Sequence, residues 1–145
     1  MSVAPKEETR GNYRRFLEIP TRWMDNDVYQ HVNNVNYYSF FDTVVNEYLM
    51  SAGVLDYETG DVIGFVVETC CQYHRPLRFP DVIDAGLRVA KIGTSSVRYE
   101  VGLFRRGDEG VAATGHFVHV YVRRPELRPT PLSEALREAL ERIAV

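Results

Sequence analysis

The chain has 145 residues, yet only two are cysteine, its net charge is only −3, and no apolar run in it is long. Each shortage excludes something. Cys70 and Cys71 are adjacent, and neighbours in an extended strand point to opposite faces, so no structural disulfide between them is expected. No basic pair beside them depresses a thiol pKa, which leaves them as small core residues. The basic pairs Arg14-Arg15, Arg105-Arg106 and Arg123-Arg124 are short and scattered, so neither nucleic acid nor an anionic membrane is expected as a partner. No apolar stretch approaches the roughly 18 residues that span a bilayer, and no secretory core follows Met1. A reducing cytoplasm is the expected setting. There is no Gly-x-Ser-x-Gly, and no serine has a histidine beside it. His116 and His119 are three apart on an expected strand, hence on opposite faces, and no other His/Cys cluster has ligand spacing, so no metal is expected. Repeats, low-complexity tracts and a second domain are also missing.

What is present reads as one domain over 1–145, with 45% hydrophobic and 26% charged residues, both ordinary for a globular protein. Residues 1–11 are polar and expected to fray. Tyr13 to Trp23 reads as a strand, with Leu17, Ile19 and Trp23 on one parity and Pro20 marking an edge position or a bulge. From Val35 the period changes. Tyr37, Phe40, Phe41, Val44, Val45, Tyr48, Leu49 and Ala52 repeat at helical spacing, with Ser39, Asp42, Thr43, Asn46 and Met50 opposite, until Gly53 stops the run. That predicts an amphipathic helix about 25 Å long. Period-2 segments follow at Ile63 to His74 (apolar on both faces at its start), Asp81 to Ile92, Val97 to Leu103 and Val111 to Arg123. Pro125 to Pro131 reads as an extended connector. Leu132 to Ile143 closes the chain as a short helix, with Ser133 a cap and Leu136, Leu140 and Ile143 inward. The fold class is α+β: a long central helix wrapped by a curved antiparallel five-stranded sheet.

Chemistry concentrates just before the long helix, in Trp23-Met24-Asp25-Asn26-Asp27-Val28-Tyr29-Gln30-His31-Val32-Asn33-Asn34-Val35-Asn36-Tyr37. A helix N-terminus presents unpaired N–H groups and a partial positive charge, which can hold a carbonyl oxygen and the oxyanion that develops on attack. A carboxylate nearby can act as nucleophile or as base towards water. Asp27 is the candidate carboxylate, Asn34 marks the expected first turn of the helix, and His31 could hold water, polarise a carbonyl or orient the acid. Asn, Asp and His are also what turns and caps are made of, and Asp25 reads as one of those. Glu68 lies in an apolar strand and could face the site, although a paired or edge charge is the commoner role. Asp42 sits on the solvated stripe of the helix, with Glu47 at its border.

Arg22 to Asp27 followed by His31-Val-Asn-Asn-Val-Asn-Tyr37 resembles the opening signature of the hotdog-fold acyl thioesterases, particularly the 4-hydroxybenzoyl-CoA thioesterase-like branch. Tyr73-x-x-Pro76, Asp81 and Gly93-Thr94-Ser95-Ser96 continue the likeness. The resemblance implies a hotdog fold and hydrolysis of an acyl-CoA thioester. Asp27 would be the catalytic carboxylate, the N–H groups around Asn34 would receive the thioester oxygen, and His31 would help. Asn33, Tyr37 and the bend of Gly93, Thr94, Ser95 and Ser96 would contact substrate, and Tyr37 or Phe41 would line an acyl channel. It implies a homodimer or homotetramer with sites at subunit boundaries, and no cofactor beyond the CoA carried by the substrate. The run is also similar to plant acyl-carrier-protein thioesterases, but they have asparagine where Tyr29 stands, so their residue network does not transfer whole. The bend lacks the basic residues that the hydroxybenzoyl branch can carry there. A non-catalytic acyl-thioester binder is the rival of another class. A hotdog dehydratase is disfavoured, because Asp27 and His31 are four apart with no Asn-Pro between them.

Overall fold

The computed structural model describes residues 8–145. The helix expected from its spacing is α1, Val35–Ser51, and it buries Tyr37, Phe40, Phe41, Val44, Val45, Tyr48 and Leu49. Gly53, at φ +73°, ends it. The Gly53 N–H bonds to Met50 O and the Val54 N–H to Leu49 O, the paired closure that a left-handed residue after the C-cap allows.

The strands are β1 (Arg15–Pro20), β2 (Val62–Tyr73), β3 (Val82–Ile92), β4 (Ser96–Arg105) and β5 (Ala113–Arg123), with a two-residue β6 (Arg128–Pro129) beside β5. Every pairing is antiparallel, in the order β1-β3-β4-β5-β2. Inward side chains of β3, β4 and β5, among them Leu87, Val101, Leu103 and Phe117, join α1 in one core. The Phe41 and Phe117 rings meet edge to face at 5.7 Å. The last helix, α2 (Glu134–Glu141), is capped by Ser133, whose hydroxyl accepts the Leu136 N–H at 3.1 Å, and Tyr48 donates its hydroxyl to Ala139 O across the core. Among the described residues no helix is long and apolar enough to cross a membrane.

Three expectations change. The first strand is shorter, Arg15–Pro20 rather than Tyr13 to Trp23. Tyr13 leaves it to pack on the outer face with Phe104 and Val111. Gly86 and Gly102 are register partners there, and a Cβ on either would lie within 2.8 Å of the Tyr13 ring, so two missing side chains make its slot. Residues 8–11 do not fray. Glu8 pairs with Arg88 at 3.0 Å and Arg10 with Asp84 at 3.0 Å, which straps this segment over the sheet; residues 1–7 lie outside the described part. Finally, β2 is an edge strand whose apolar start is not buried on both faces. Phe65, Val66 and Val67 are exposed, and among the described residues no strand lies beside its outer N–H and C=O groups.

Candidate active site

The loop between β1 and α1 is a small hairpin pinned at its base and bare at its tip. At the base, Trp23–Asp25 form a single 3-10 turn. Asp25 is 1% exposed. Its carboxylate accepts the Arg22 N–H at 2.7 Å and the Arg22 guanidinium at 2.8 and 3.1 Å. Its carbonyl accepts the Asn33 N–H and the Asn36 side-chain amide, tying the loop to the helix. Asn26 accepts the Phe79 N–H, and the Val32 N–H reaches Leu77 O at 2.7 Å. Between those anchors the chain reverses over Asp27 to His31. The Asp27 N–H bonds to His31 O, the Gln30 N–H to Asp27 O, and Gln30 takes φ +65° to close the turn. Val28 and Tyr29 stand out at the tip, 89% and 79% exposed.

Asp27 is half-buried. One carboxylate oxygen accepts the Tyr29 N–H at 2.8 Å and the other the Asn33 side-chain amide at 3.4 Å. Asn33 faces two ways, because its side-chain oxygen accepts the Val35 N–H at 3.0 Å and its carbonyl the Asn36 N–H. Asn33 is therefore the physical cap of α1, with Asn34 already in helical conformation and offering no side-chain cap. Of the first-turn N–H groups, that of Asn34 is the one with no internal acceptor among the described residues. The sequence contained this signal: an asparagine two positions before the first helical residue is a strong cap.

Two hollows flank the loop. One, about 620 Å³, is lined by Trp23, Asn26, Asp27, Val28, Gln30, Arg78 and Phe79. The other, about 320 Å³, is lined by His31, Asn34, Tyr37, Tyr73, His74 and neighbouring residues. Asp27, His31, Asn33, Asn34 and Tyr37 thus collect at one end of the molecule, but His31 and Asp27 line different hollows. Among the described residues no hydrogen bond joins the His31 imidazole to the carboxylate. Tyr37 is buried edge-on to Tyr73 at 4.8 Å, and burial pushes its hydroxyl pKa up to about 12. Tyr73 donates its hydroxyl to Asn34 O at 3.3 Å. Sequence reading gave Tyr73 only as part of the likeness and Arg78 only as a possible charge, and it missed Phe79; they reach the site from the end of β2 and the loop that follows it. Phe79 also packs edge-on to Trp23 at 5.9 Å.

Other candidates stand apart. Gly93 to Ser96 lie at the far end of β3, which spans about 33 Å. Their carbonyls are engaged by Leu132, Tyr121 and Arg137 of the later chain. Glu68 pairs with His116 at 2.9 Å on the outer face. Glu47 pairs with Arg15 at 2.8 Å. Asp42 is exposed, yet partial desolvation holds its carboxyl above the ordinary range. Burial pushes the Cys71 thiol up to about 11, which removes it as a nucleophile near neutral pH. Among the described residues no group of three His, Cys, Asp or Glu could hold a metal.

Residues 21–140 match the family model of the thioesterase-like superfamily. Two solved structures from Pseudomonas aeruginosa are similar: the PA5185 protein (50% identity, 96% of this chain and 97% of that one, TM-score 0.93) and the PA2801 protein (30%, 88% and 98%, 0.83). A gentisyl-coenzyme A thioesterase, BH1999, shares the fold at 23% identity over 87% of this chain and 99% of that one, with a TM-score of 0.78. No curated protein sequence matches.

Proposed function

Since the chain belongs to the thioesterase-like superfamily and is a thioester hydrolase of hotdog fold, we propose that its substrates are acyl-CoA thioesters, cleaved by the Asp27 carboxylate at the N-terminus of α1. The observation that carries this reading is the double role of Asn33. One side chain caps the helix and holds the carboxylate, so the unpaired Asn34 N–H and Asp27 are fixed by the same residue. The thioester oxygen docks on the Asn34 N–H. Asp27 takes a proton from water as that water attacks the carbonyl carbon, or attacks the carbon itself to give an anhydride that water then opens. Negative charge collects on the carbonyl oxygen at the positive end of the helix. On either route collapse of this adduct breaks the C–S bond, which on the second route precedes the opening of the anhydride by water. The CoA thiolate takes up the proton held by Asp27 or one from water. Enzyme side chains supply the chemistry, with CoA entering only as part of the substrate.

The reading includes a homodimer made by pairing two β2 edges. A twelve-residue edge strand with Phe65, Val66 and Val67 exposed calls for a cover. Phe65, Val120 and Ser96 lie in one row across the sheet, while Tyr73, at the opposite end of β2, touches Asn34. Antiparallel pairing therefore carries the second copy's Gly93 to Ser96 to the end where the first copy holds Asn34. That is how a bend remote from Asp27 within one chain would reach its substrate. The test is release of CoA thiol from a panel of acyl-CoAs. The wild-type chain is expected to turn over at least one of them, and Asp27→Asn to lose about a thousandfold in kcat/KM. Near wild-type turnover by the variant rejects the assignment.

A further inference from the structure

At the other end of α1 a cavity of about 480 Å³ lies between the helix, β5 and the edge strand β2. Asp42, Met50 and Val66 stand exposed at its rim, Leu49 and Ile63 form its walls, and His119 and Tyr121 are buried at its floor. The Tyr121 hydroxyl is already bonded to that of Tyr99 at 2.7 Å. His119 is not satisfied in this way. It is 4% exposed, its Nε2 is wholly buried, and neither ring nitrogen has a hydrogen-bond partner among the described residues. The imidazole is held by the Phe117 ring stacked at 5.6 Å and the Tyr99 ring edge-on at 5.1 Å. On β2 the residue opposite His119 is Val66, and two positions away Gly64 lies opposite Tyr121, where a Cβ would come within 3.2 Å of the His119 Nδ1 and 3.1 Å of the Tyr121 ring. At Gly64 the strand thus carries no side chain against Nδ1, while Val66 stands exposed at the rim.

A polar group fixed in an apolar cavity and left unpaired is a specificity element, because a ligand that pairs with it gains what a hydrocarbon cannot. Resting on the hydrolase and the edge-paired dimer proposed above, we infer that this cavity receives the acyl portion of a substrate held at the partner copy's helix N-terminus, and that His119 selects acyl groups carrying a hydroxyl remote from the thioester. Pairing of the β2 edges brings the Val62 end of one copy, where the cavity lies, to the Tyr73 end of the other. Burial lowers the His119 pKa to about 4, so the ring is neutral near pH 7 and offers one donor and one acceptor without charge. That suits a hydroxyl. A terminal carboxylate would enter past Asp42 and meet no cation among the cavity walls.

The test compares hexanoyl-, octanoyl- and decanoyl-CoA with their ω-hydroxy counterparts. For at least one length, wild type is expected to favour the hydroxylated member about tenfold in kcat/KM, and His119→Phe to abolish that preference. In the wild-type chain, the His119 imidazole nitrogen resonances are expected to shift with S-(ω-hydroxyalkyl)-CoA thioethers and to stay in place with S-alkyl thioethers. An unchanged preference in His119→Phe, or resonances that ignore the hydroxylated thioethers or answer both series alike, overturns the inference. The spectrum keeps the test valid where His119→Phe does not fold. Hydrolysis without hydroxyl selection rejects the inference and leaves the hydrolase standing. A selective shift with no hydrolysis of any ester does the reverse.

Discussion

The two ends of α1 both carry polar groups, in opposite environments. At the N-terminal end the groups are held by many short-range bonds, and within it a buried and a half-buried aspartate divide the work. Asp25 is sealed by Arg22 and holds the loop on the helix, whereas Asp27, two residues on, keeps one carboxylate oxygen on a long 3.4 Å contact. At the C-terminal end a single imidazole sits buried among aromatic rings with no polar partner among the described residues. The difference separates a group left available for chemistry from a group left available for recognition. It also sets their costs, since solvent screens the first and burial penalises the second.

The largest effect that would break this contrast lies at the buried end. His119 has a folded pKa of about 4 against an ordinary 6.5, so on acidification the unfolded chain takes up that proton first. Its contribution is complete above pH 6.5 and is lost as pH falls towards 4, about 3 kcal/mol in all. Urea unfolding at pH 7 and pH 4 should show that loss in wild type and lack it in His119→Phe; equal pH slopes would mean that the imidazole is not buried neutral. Next comes Asp25→Ala. Removing a buried carboxylate that accepts backbone and guanidinium N–H groups should destabilise the fold by about 2 kcal/mol in urea titrations. A stability unchanged from wild type would place Asp25 in solvent. Asn33→Ala should lower kcat/KM about tenfold by loosening both Asp27 and the helix start, and a rate equal to wild type would show that the carboxylate needs no such support. The smallest effect falls outside both regions: Ser133→Ala removes the α2 cap and should cost about 1 kcal/mol with activity intact.

The same contrast explains what could be read from the chain before its structure. The long helix and the β3 to β5 strands were legible because their apolar spacing of 3.6 or 2 reports one buried face. The Asp27 to Asn34 cluster was legible because its residues are contiguous and its turn is local. Asn33 was placed among substrate contacts rather than at the cap, since two adjacent asparagines offer two registers and only the backbone decides between them. The Tyr13 packing and the Glu8–Arg88 and Arg10–Asp84 straps join residues more than seventy positions apart, so a polar N-terminal segment read as frayed. Strand parity puts His119 and His116 on opposite faces, as found, but not their fates. His116 meets Glu68 across the sheet, while the inward ring stacks among aromatics beside Gly64 and has no hydrogen-bond partner among the described residues. A bend such as Gly93 to Ser96 announces that the chain turns, not which end of the sheet it turns at.

The central claim is that Asp27 acts in the chemical step rather than in holding the substrate. Its most direct measurement mixes Asp27→Asn with an acyl-CoA that wild type hydrolyses, and follows bound thioester and released thiol together. Binding within a few-fold of wild type (about 1 kcal/mol or less) with no thiol release over many wild-type turnover times is the result expected. Thiol release at the wild-type rate, or loss of binding alone, would contradict it.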